Sequence, residues 1–199
     1  MEGIDDLAHA FERFPGIGPR QAKRFVYHLL VAGPQERTRL AGLIERIGTT
    51  VRQCADCKRF APGAGTSCTY CTDRTRDDSV LLVVEKDQDL AAIERAGIYK
   101  GRYFVLGGVL TLSGKGTIRE RELVATIEKR ASQGLAEVVL ALSATSEGEH
   151  TADHLRNLLS PLRDGLRLTV LGRGLATGSE LEYSDPETLR GALQNRKET

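Results

Sequence analysis

All four cysteines of this chain lie between positions 54 and 71, and their spacing restricts the fold more than any other feature of the sequence. They form two pairs, Cys54-Ala-Asp-Cys57 and Cys68-Thr-Tyr-Cys71, with ten residues between them. Four thiolates in this arrangement can converge tetrahedrally on one metal ion. The intervening Pro62-Gly63-Ala64-Gly65 favours a turn that folds the second pair back on the first. Because the segment is too short to bury a core, the ion would supply much of its folding free energy.

Structural zinc is the interpretation that this spacing favours, with iron as the minor alternative. Two disulfides would suit a secreted protein, and a redox-active Cys-x-x-Cys normally stands alone beside a βαβ unit. The residues Glu2, Asp5 and Asp6 precede any apolar run, unlike a secretory signal, so we expect a cytoplasmic protein. The longest uncharged stretch, 60–72, has thirteen residues and 103–114 has twelve, whereas a membrane-spanning helix needs roughly twenty, so we expect no membrane contact.

The formal charge of +1 conceals an uneven distribution of charge along the chain. Residues 13–59 contain ten basic and three acidic side chains, whereas residues 78–199 contain sixteen basic and eighteen acidic ones. A local basic region on an otherwise balanced protein is typical of a nucleic-acid-binding module joined to another domain.

Apolar residues at helical spacing predict two short helices at the N-terminus, joined through Gly16-Ile17-Gly18. Pro19 suits the first position of the second helix. Glycines let the backbone approach a phosphate closely, and the N–H groups at the start of a helix are donors for an anion. The segment resembles a helix-hairpin-helix, a motif that contacts the DNA backbone without reading bases. The alternative is an ordinary helix pair with a solvated basic face. The residues predicted to contact DNA are Gly16, Gly18, Arg20, Lys23 and Arg24.

From Val80 onward, short apolar strands alternate with helices, which predicts a mostly parallel sheet covered on both faces. The predicted strands are 80–84, 103–106, 138–142 and 168–171, and the predicted helices are 90–96, 122–131, 151–162 and a short terminal one at 187–194.

Acidic residues follow two of these strands, at the edge where function gathers in parallel sheets. Glu85 ends the first strand, and Glu147-Gly148-Glu149 is predicted to lie in the loop after Leu142. This pattern resembles the Toprim arrangement of topoisomerases and primases, in which clustered carboxylates bind Mg²⁺ beside a phosphodiester. Active Toprim enzymes usually have Asp-x-Asp where this chain has Glu-Gly-Glu. We therefore expect weak or structural divalent-ion binding at most, and no catalysis; solvated loop carboxylates are the simplest alternative.

Taken together, the modules resemble the RecR family of bacterial recombination mediators over nearly the whole chain. The resemblance depends on the segment 14–24, on the two cysteine pairs, on Val83-Val84-Glu85 with Glu147-Gly148-Glu149, and on the segment 178–183. It implies an α/β protein with four parts: a helix-hairpin-helix region (1–53), a four-cysteine zinc finger (54–77), a Toprim domain (78–173) and a C-terminal loop and helix (174–199). The family usually begins its hairpin with Leu, where this chain has Phe14.

The resemblance also implies a non-enzymatic role in DNA repair. Family members form ring-like oligomers, typically tetramers, through their N-terminal and C-terminal regions, and they act with RecO and RecF to place RecA on single-stranded DNA coated by SSB. By position, the basic residues of the hairpin would face single- or double-stranded DNA inside the ring, and Glu85, Glu147 and Glu149 would contact a partner protein. A Mg²⁺-dependent Toprim nuclease or primase-like enzyme is the alternative function, and a protein-docking role for the cysteine segment is a further one.

Overall fold

We describe the fold from a computed structural model of the chain, which covers residues 2–162 and 165–196. Residue 1 of the predicted first part, residues 163 and 164 of the predicted Toprim domain and residues 197–199 of the predicted C-terminal segment lie outside the described residues. The chain divides into two compact units, Met1–Arg52 and Gln53–Thr199.

Three helices form the first unit: α1 (Glu2–Glu12), α2 (Pro19–Val31) and α3 (Pro34–Thr50). The second and third both have proline in their first turn, where no backbone N–H is needed. Helices α1 and α2 pack around a small core, which contains Ala8, Ala22 and Val26 with Ile4, Phe11 and Ile17 at its margin. The predicted helical hairpin is therefore present, but its core is small for a unit of this length.

Helix α3 buries none of its residues in the single chain. Its apolar side chains Leu43, Ile44 and Ile47 are 44%, 64% and 61% exposed. Apolar residues at helical spacing normally face a core, so this stripe is a surface that the first unit alone does not cover.

The second unit contains the cysteine segment followed by a parallel sheet. Two short elements, β2 (Phe60–Pro62) and α4 (Thr69–Thr72), follow β1 (Val51–Gln53) along the chain. The sheet has the strand order β4-β3-β5-β6, and all three neighbouring pairs are parallel. Its strands are β3 (Asp77–Val84), β4 (Gly101–Val105), β5 (Glu137–Ala141) and β6 (Arg167–Val170), and the helices are α5 (Asp87–Ala96), α6 (Glu120–Ala131), α7 (Ser146–Leu158) and α8 (Pro186–Gln194).

Alternate residues of the central strand β3 pack on opposite faces of the sheet. Leu81 and Val83 belong to the larger core, which includes residues of α6 and α7, whereas Leu82 and Val84 belong to a smaller core with Leu90 of α5. A strand that is buried on both faces has a continuous apolar sequence, as the run from Val80 to Val84 does. The predicted parallel sheet with helices on both faces is confirmed.

Helix α7 begins at Ser146, five residues earlier than the sequence predicted. Thr145 is the reason, because its side-chain oxygen accepts a hydrogen bond from the Gly148 N–H at 3.1 Å and caps the helix. Glu147 and Glu149 therefore lie in the first turn of α7, and their predicted placement in a loop was wrong.

The C-terminal helix α8 begins at Pro186, one residue before its predicted start. Asp185 caps it by accepting hydrogen bonds from the N–H groups of Glu187 and Thr188, at 3.0 and 2.9 Å. Like α3, this helix buries no side chain, and Leu181, Tyr183 and Leu193 around it are at least 65% exposed. Over the ranges that the structure covers, no helix has the length and apolar character needed to cross a membrane.

Candidate nucleic-acid interface and metal centre

The turn between α1 and α2 is held by backbone hydrogen bonds. The N–H of Phe14 donates to the Phe11 carbonyl at 3.0 Å, and the N–H of Ile17 donates to the Phe14 carbonyl at 3.1 Å. Gly16 has a φ of +78°, which favours glycine. Ile17 packs against the α1–α2 core and attaches the loop to it.

Gly18 precedes α2 with an ordinary extended φ of −90°, so its backbone alone does not demand glycine. A Cβ atom added at Gly16 or at Gly18 would meet nothing within 4 Å. The space in front of both glycines is open to a ligand.

Backbone donors face this open turn. The N–H groups of Arg20 and Gln21, in the first turn of α2, donate to no acceptor within residues 2–162 and 165–196. The first turn of a helix leaves such groups unsatisfied, and it has a partial positive charge from the aligned peptide dipoles. The turn therefore offers two donors and a favourable potential to an anion.

The three basic side chains predicted to contact DNA are all exposed, but they differ in their partners. Lys23 Nζ lies 3.4 Å from Asp5 Oδ1, and Arg24 Nη1 donates to Gln21 Oε1 at 3.5 Å. Arg20 has no ion pair or side-chain hydrogen bond to any part of the chain that the structure describes. Its guanidinium is therefore available to a ligand without breaking an intramolecular contact.

The four cysteines converge as their spacing predicts. Their Sγ atoms all lie within 4.8 Å of one another, with Cys54 to Cys71 at 3.8 Å and Cys57 to Cys68 at 3.5 Å. Four sulfurs placed tetrahedrally at about 2.3 Å from zinc would be separated by about 3.8 Å. The cluster thus has the donor atoms and the dimensions to hold one metal ion with no further ligand.

Each cysteine pair is part of a tight turn. The Cys71 N–H donates to the Cys68 carbonyl at 3.0 Å, and the Lys58 N–H donates to the Cys54 carbonyl at 3.0 Å. Lys58 adopts a φ of +63°, in the left-handed region. The thiols of Cys57 and Cys68 share a hydrogen bond, which raises the pKa of Cys57 and lowers the pKa of Cys68.

Arg102 joins the cysteine segment to the sheet. Its Nη1 donates to the carbonyls of Tyr70 and Cys71 at 2.8 and 3.1 Å, and its Nε donates to Asp78 Oδ1 at 2.7 Å. The side chain is only 8% exposed. A second connection comes from the Val105 N–H, which donates to the Cys57 carbonyl at 2.8 Å. The metal centre is thus attached to strand β4 through both cysteine pairs.

A cation–aromatic cluster supports the same junction. The guanidinium groups of Arg59 and Arg76 lie over the Tyr70 ring, 4.4 and 4.7 Å from its centroid. Arg76 also pairs with Glu94, at 2.7 Å between Nη2 and Oε2, and Tyr103 donates to the same carboxylate at 2.6 Å. Burial raises the pKa of Glu94, but these two partners outweigh it and the pKa is lowered overall.

The acidic residues lie at the predicted edge of the sheet. Glu85 directly follows β3 and is only 6% exposed. Its carboxylate accepts a hydrogen bond from Ser143 Oγ at 2.9 Å and pairs with Lys86 Nζ at 2.6 Å. Glu149, in the first turn of α7, pairs with Arg173.

These carboxylates do not converge as the cysteines do. Over residues 2–162 and 165–196, the cysteine cluster is the only group of three or more His, Cys, Asp or Glu side chains whose donor atoms lie within 4.8 Å of one another. Glu85, Glu147 and Glu149 therefore form no compact three-carboxylate site among the described residues.

The sequence analysis did not identify Arg102 as the anchor of the metal centre, or Ser143 and Lys86 as the partners of Glu85. Only Arg102 has a feature that could have identified it. Arg102 is a charged residue inside a strand whose five residues are all buried, and such a residue needs a buried partner. Ser143 and Lys86 are polar loop residues whose contacts with Glu85 have no sequence pattern.

Comparison with known proteins gives matches along most of the chain. Three family models match it: "RecR, helix-hairpin-helix" over residues 4–47, "Toprim domain" over 79–172 and "RecR, C-terminal" over 174–197. Proteins named "Recombination protein RecR" from Streptomyces coelicolor and Thermobifida fusca are 39% and 40% identical to it over 197 and 198 residues. A third, from a Ruegeria species, is 38% identical over 195 residues. Each alignment covers 98% of this chain and 96% of the relative.

Proposed function

Because this chain belongs to the RecR family of recombination proteins, we propose that it is a DNA-clamping mediator of recombinational repair that catalyses no reaction. In this role it acts with RecO and RecF to load RecA onto SSB-coated single-stranded DNA at gaps. Its clamp holds single- and double-stranded DNA through the phosphate backbone.

The open turn between α1 and α2 is the observation that carries this proposal. It combines space in front of Gly16 and Gly18, two N–H donors without acceptors among the described residues, and the exposed side chain of Arg20. Contacts of this kind bind the phosphates of DNA whatever the base sequence. One turn makes few such contacts, so several copies around one DNA molecule are needed for tight binding.

Assembly into a ring is supported by uncovered apolar surfaces near both ends of the chain. The stripe of α3 and the surface around α8 each expose large apolar side chains, and neither helix buries a residue. The small core of the first unit is a further reason for it to gain stability from a second copy. We propose a homotetrameric ring formed through these two surfaces.

Zinc is the metal that we propose for the cysteine cluster, in a structural role and with one ion per chain. Four cysteine thiolates suit zinc and leave no open coordination position for a substrate. Metal analysis of the purified protein would identify the ion, and one equivalent of zinc per chain is expected.

The acidic edge of the Toprim domain is proposed as a contact for a partner protein. Glu85 is already bound to Lys86 and Ser143, and Glu149 to Arg173. A two-metal phosphodiester reaction needs convergent carboxylates that hold the ions. A Mg²⁺-dependent nuclease or primase-like enzyme is therefore less well supported, and turnover with Mg²⁺ that disappears in Glu85→Gln would establish it instead.

The test of DNA clamping is a double variant of the turn, Arg20→Ala with Lys23→Ala. It should weaken binding to single-stranded and duplex oligonucleotides of unrelated sequence in a filter or gel-shift titration. The slope of log affinity against log salt should also flatten, by about 0.7 per lost contact on single strands and about 0.9 on duplex. The matched control, Arg95→Ala with Lys100→Ala, removes the same charge from exposed positions of the second unit. Equal losses in both double variants, or no loss in the first, would overturn the proposal.

A further inference from the structure

Phe14 is a large aromatic side chain that the fold leaves exposed in the middle of the phosphate-binding turn. Its side chain is 60% exposed, although its backbone is fixed at both the N–H and the carbonyl by hydrogen bonds within the turn. The residues that follow it, from Pro15 to Arg20, are exposed as well, with the exception of Ile17. The ring is thus presented to solvent by an ordered stretch of backbone.

Phe14 lies beside Phe11, which in turn lies beside Phe25. The centroid of Phe11 lies 6.3 Å from that of Phe14 with the rings tilted by 36°, and Phe25 meets Phe11 edge-on at 5.7 Å. Phe11 also packs on the α1–α2 core. Ring pairs at such distances have favourable geometry, so Phe14 is held in place by its neighbours while much of its surface stays free.

The charge around the ring indicates what covers it. Arg13 and Arg20 flank the turn and are exposed, and the N–H groups of Arg20 and Gln21 favour an anion. A cationic surface that carries one fixed aromatic ring fits a nucleotide, with its phosphate at the turn and its base on the ring. It is less suited to the apolar face of another protein, because no second large apolar side chain lies between Pro15 and Arg20 except the partly buried Ile17.

We propose that Phe14 stacks with an unpaired base next to the bound phosphate, so that this turn distinguishes single-stranded from duplex DNA. The inference rests on the proposed DNA-binding function of the turn and deepens it. In a duplex, each base is already stacked between its neighbours and its face is not available. Only a single strand, or the unpaired side of a gap, offers a free base to the ring.

The test uses the full-length protein and Phe14→Leu, which keeps an apolar side chain against Phe11 but removes the aromatic face. Binding is measured on a single-stranded oligonucleotide that contains 2-aminopurine and on a duplex of the same sequence. Stacking on Phe14 should quench the 2-aminopurine emission, and Phe14→Leu should relieve the quenching and weaken single-strand binding about fivefold or more. Affinity for the duplex should change by less than about twofold. The matched control is Phe60→Leu, because Phe60 is 56% exposed in the second unit.

Three outcomes oppose the inference. Unchanged quenching in Phe14→Leu, or an equal loss on single strands and duplex, shows that the ring does not bind an unpaired base. A fall in solution mass by light scattering shows that Phe14 lies between two copies of the chain. The double variant at Arg20 and Lys23 distinguishes failure of the stacking inference from failure of the proposed DNA-binding function. If the double variant still weakens binding to both single-stranded and duplex DNA while Phe14→Leu has no effect, the turn binds phosphate without stacking.

Discussion

Replacement of Arg102 by methionine should destabilise the second unit and loosen its metal centre. The side chain is buried and donates three hydrogen bonds, two to the carbonyls of Tyr70 and Cys71 and one to Asp78. Methionine has a similar length and fills much of the same space without a donor. The variant therefore removes the hydrogen bonds while it limits the loss of packing.

The loss in unfolding free energy depends on whether water can reach each of the three acceptors after the guanidinium is removed. Asp78 is 59% exposed and regains water, so the loss of its ion pair costs at most about 1 kcal/mol. Each carbonyl that is left without its donor costs about 1–3 kcal/mol to the extent that water cannot reach it. The desolvation of the arginine is avoided in the variant, which offsets part of the cost. We expect a net loss of about 3 kcal/mol in the free energy of unfolding.

The assay is urea unfolding followed by circular dichroism at one fixed protein concentration, together with the rate of metal release to a chromogenic chelator. Arg102→Met should lower the unfolding free energy by about 3 kcal/mol and accelerate metal release, since Cys71 loses the anchor of its carbonyl. Arg95→Met is the matched control, because Arg95 is an exposed arginine of the same unit, and it should cost about 1 kcal/mol or less. If the two variants lose the same stability and release metal at the wild-type rate, Arg102 does not hold the metal centre on the sheet.

Three further predictions concern packing, pH dependence and assembly. Gly148→Ala should cost about 2–4 kcal/mol in urea unfolding, because its Cβ would overlap the Ser143 carbonyl oxygen, whereas Gly3→Ala, in open space on α1, should change stability by less than about 1 kcal/mol. The lowered pKa of Glu94 means that its ion pair stabilises the fold at neutral pH, and that this contribution is lost as the pH falls through the lowered pKa. Glu94→Gln should therefore lose more stability at pH 7 than in strong acid, and equal losses at both ends of this range would contradict the assignment. Ile44→Glu places a charge in the exposed stripe of α3 and should reduce the solution mass measured by light scattering, and an unchanged mass would exclude this stripe from the assembly.

The parts of the fold that depend on periodicity and spacing could be predicted from the sequence. The apolar residues Leu81 to Val84 are buried on both faces of the sheet, and the two cysteine pairs meet in space. Both patterns are local or nearly so, and each has one favourable geometry.

The parts that depend on single polar contacts could not be predicted. The start of α7 was placed five residues too late because one threonine cap decides it. Glu85 pairs with the adjacent Lys86 and accepts a hydrogen bond from Ser143, which lies in the loop after β5. Such contacts depend on the register between strands and on side-chain rotamers, which hydropathy does not encode.

The two uncovered apolar surfaces also restrict the symmetry of the proposed ring. A surface that pairs with its own copy does so across a two-fold axis. If the α3 stripe and the α8 surface each pair in this way, contacts between N-terminal regions and contacts between C-terminal regions must alternate around the ring. Alternation requires an even number of chains, so a tetramer satisfies it and a trimer or pentamer does not. Every hairpin turn would then be related to another by a two-fold axis, and a DNA strand in the ring would meet equivalent turns in opposite orientations. Such a clamp would have no preferred strand polarity of its own, and direction in the repair reaction would have to come from the proteins that bind it.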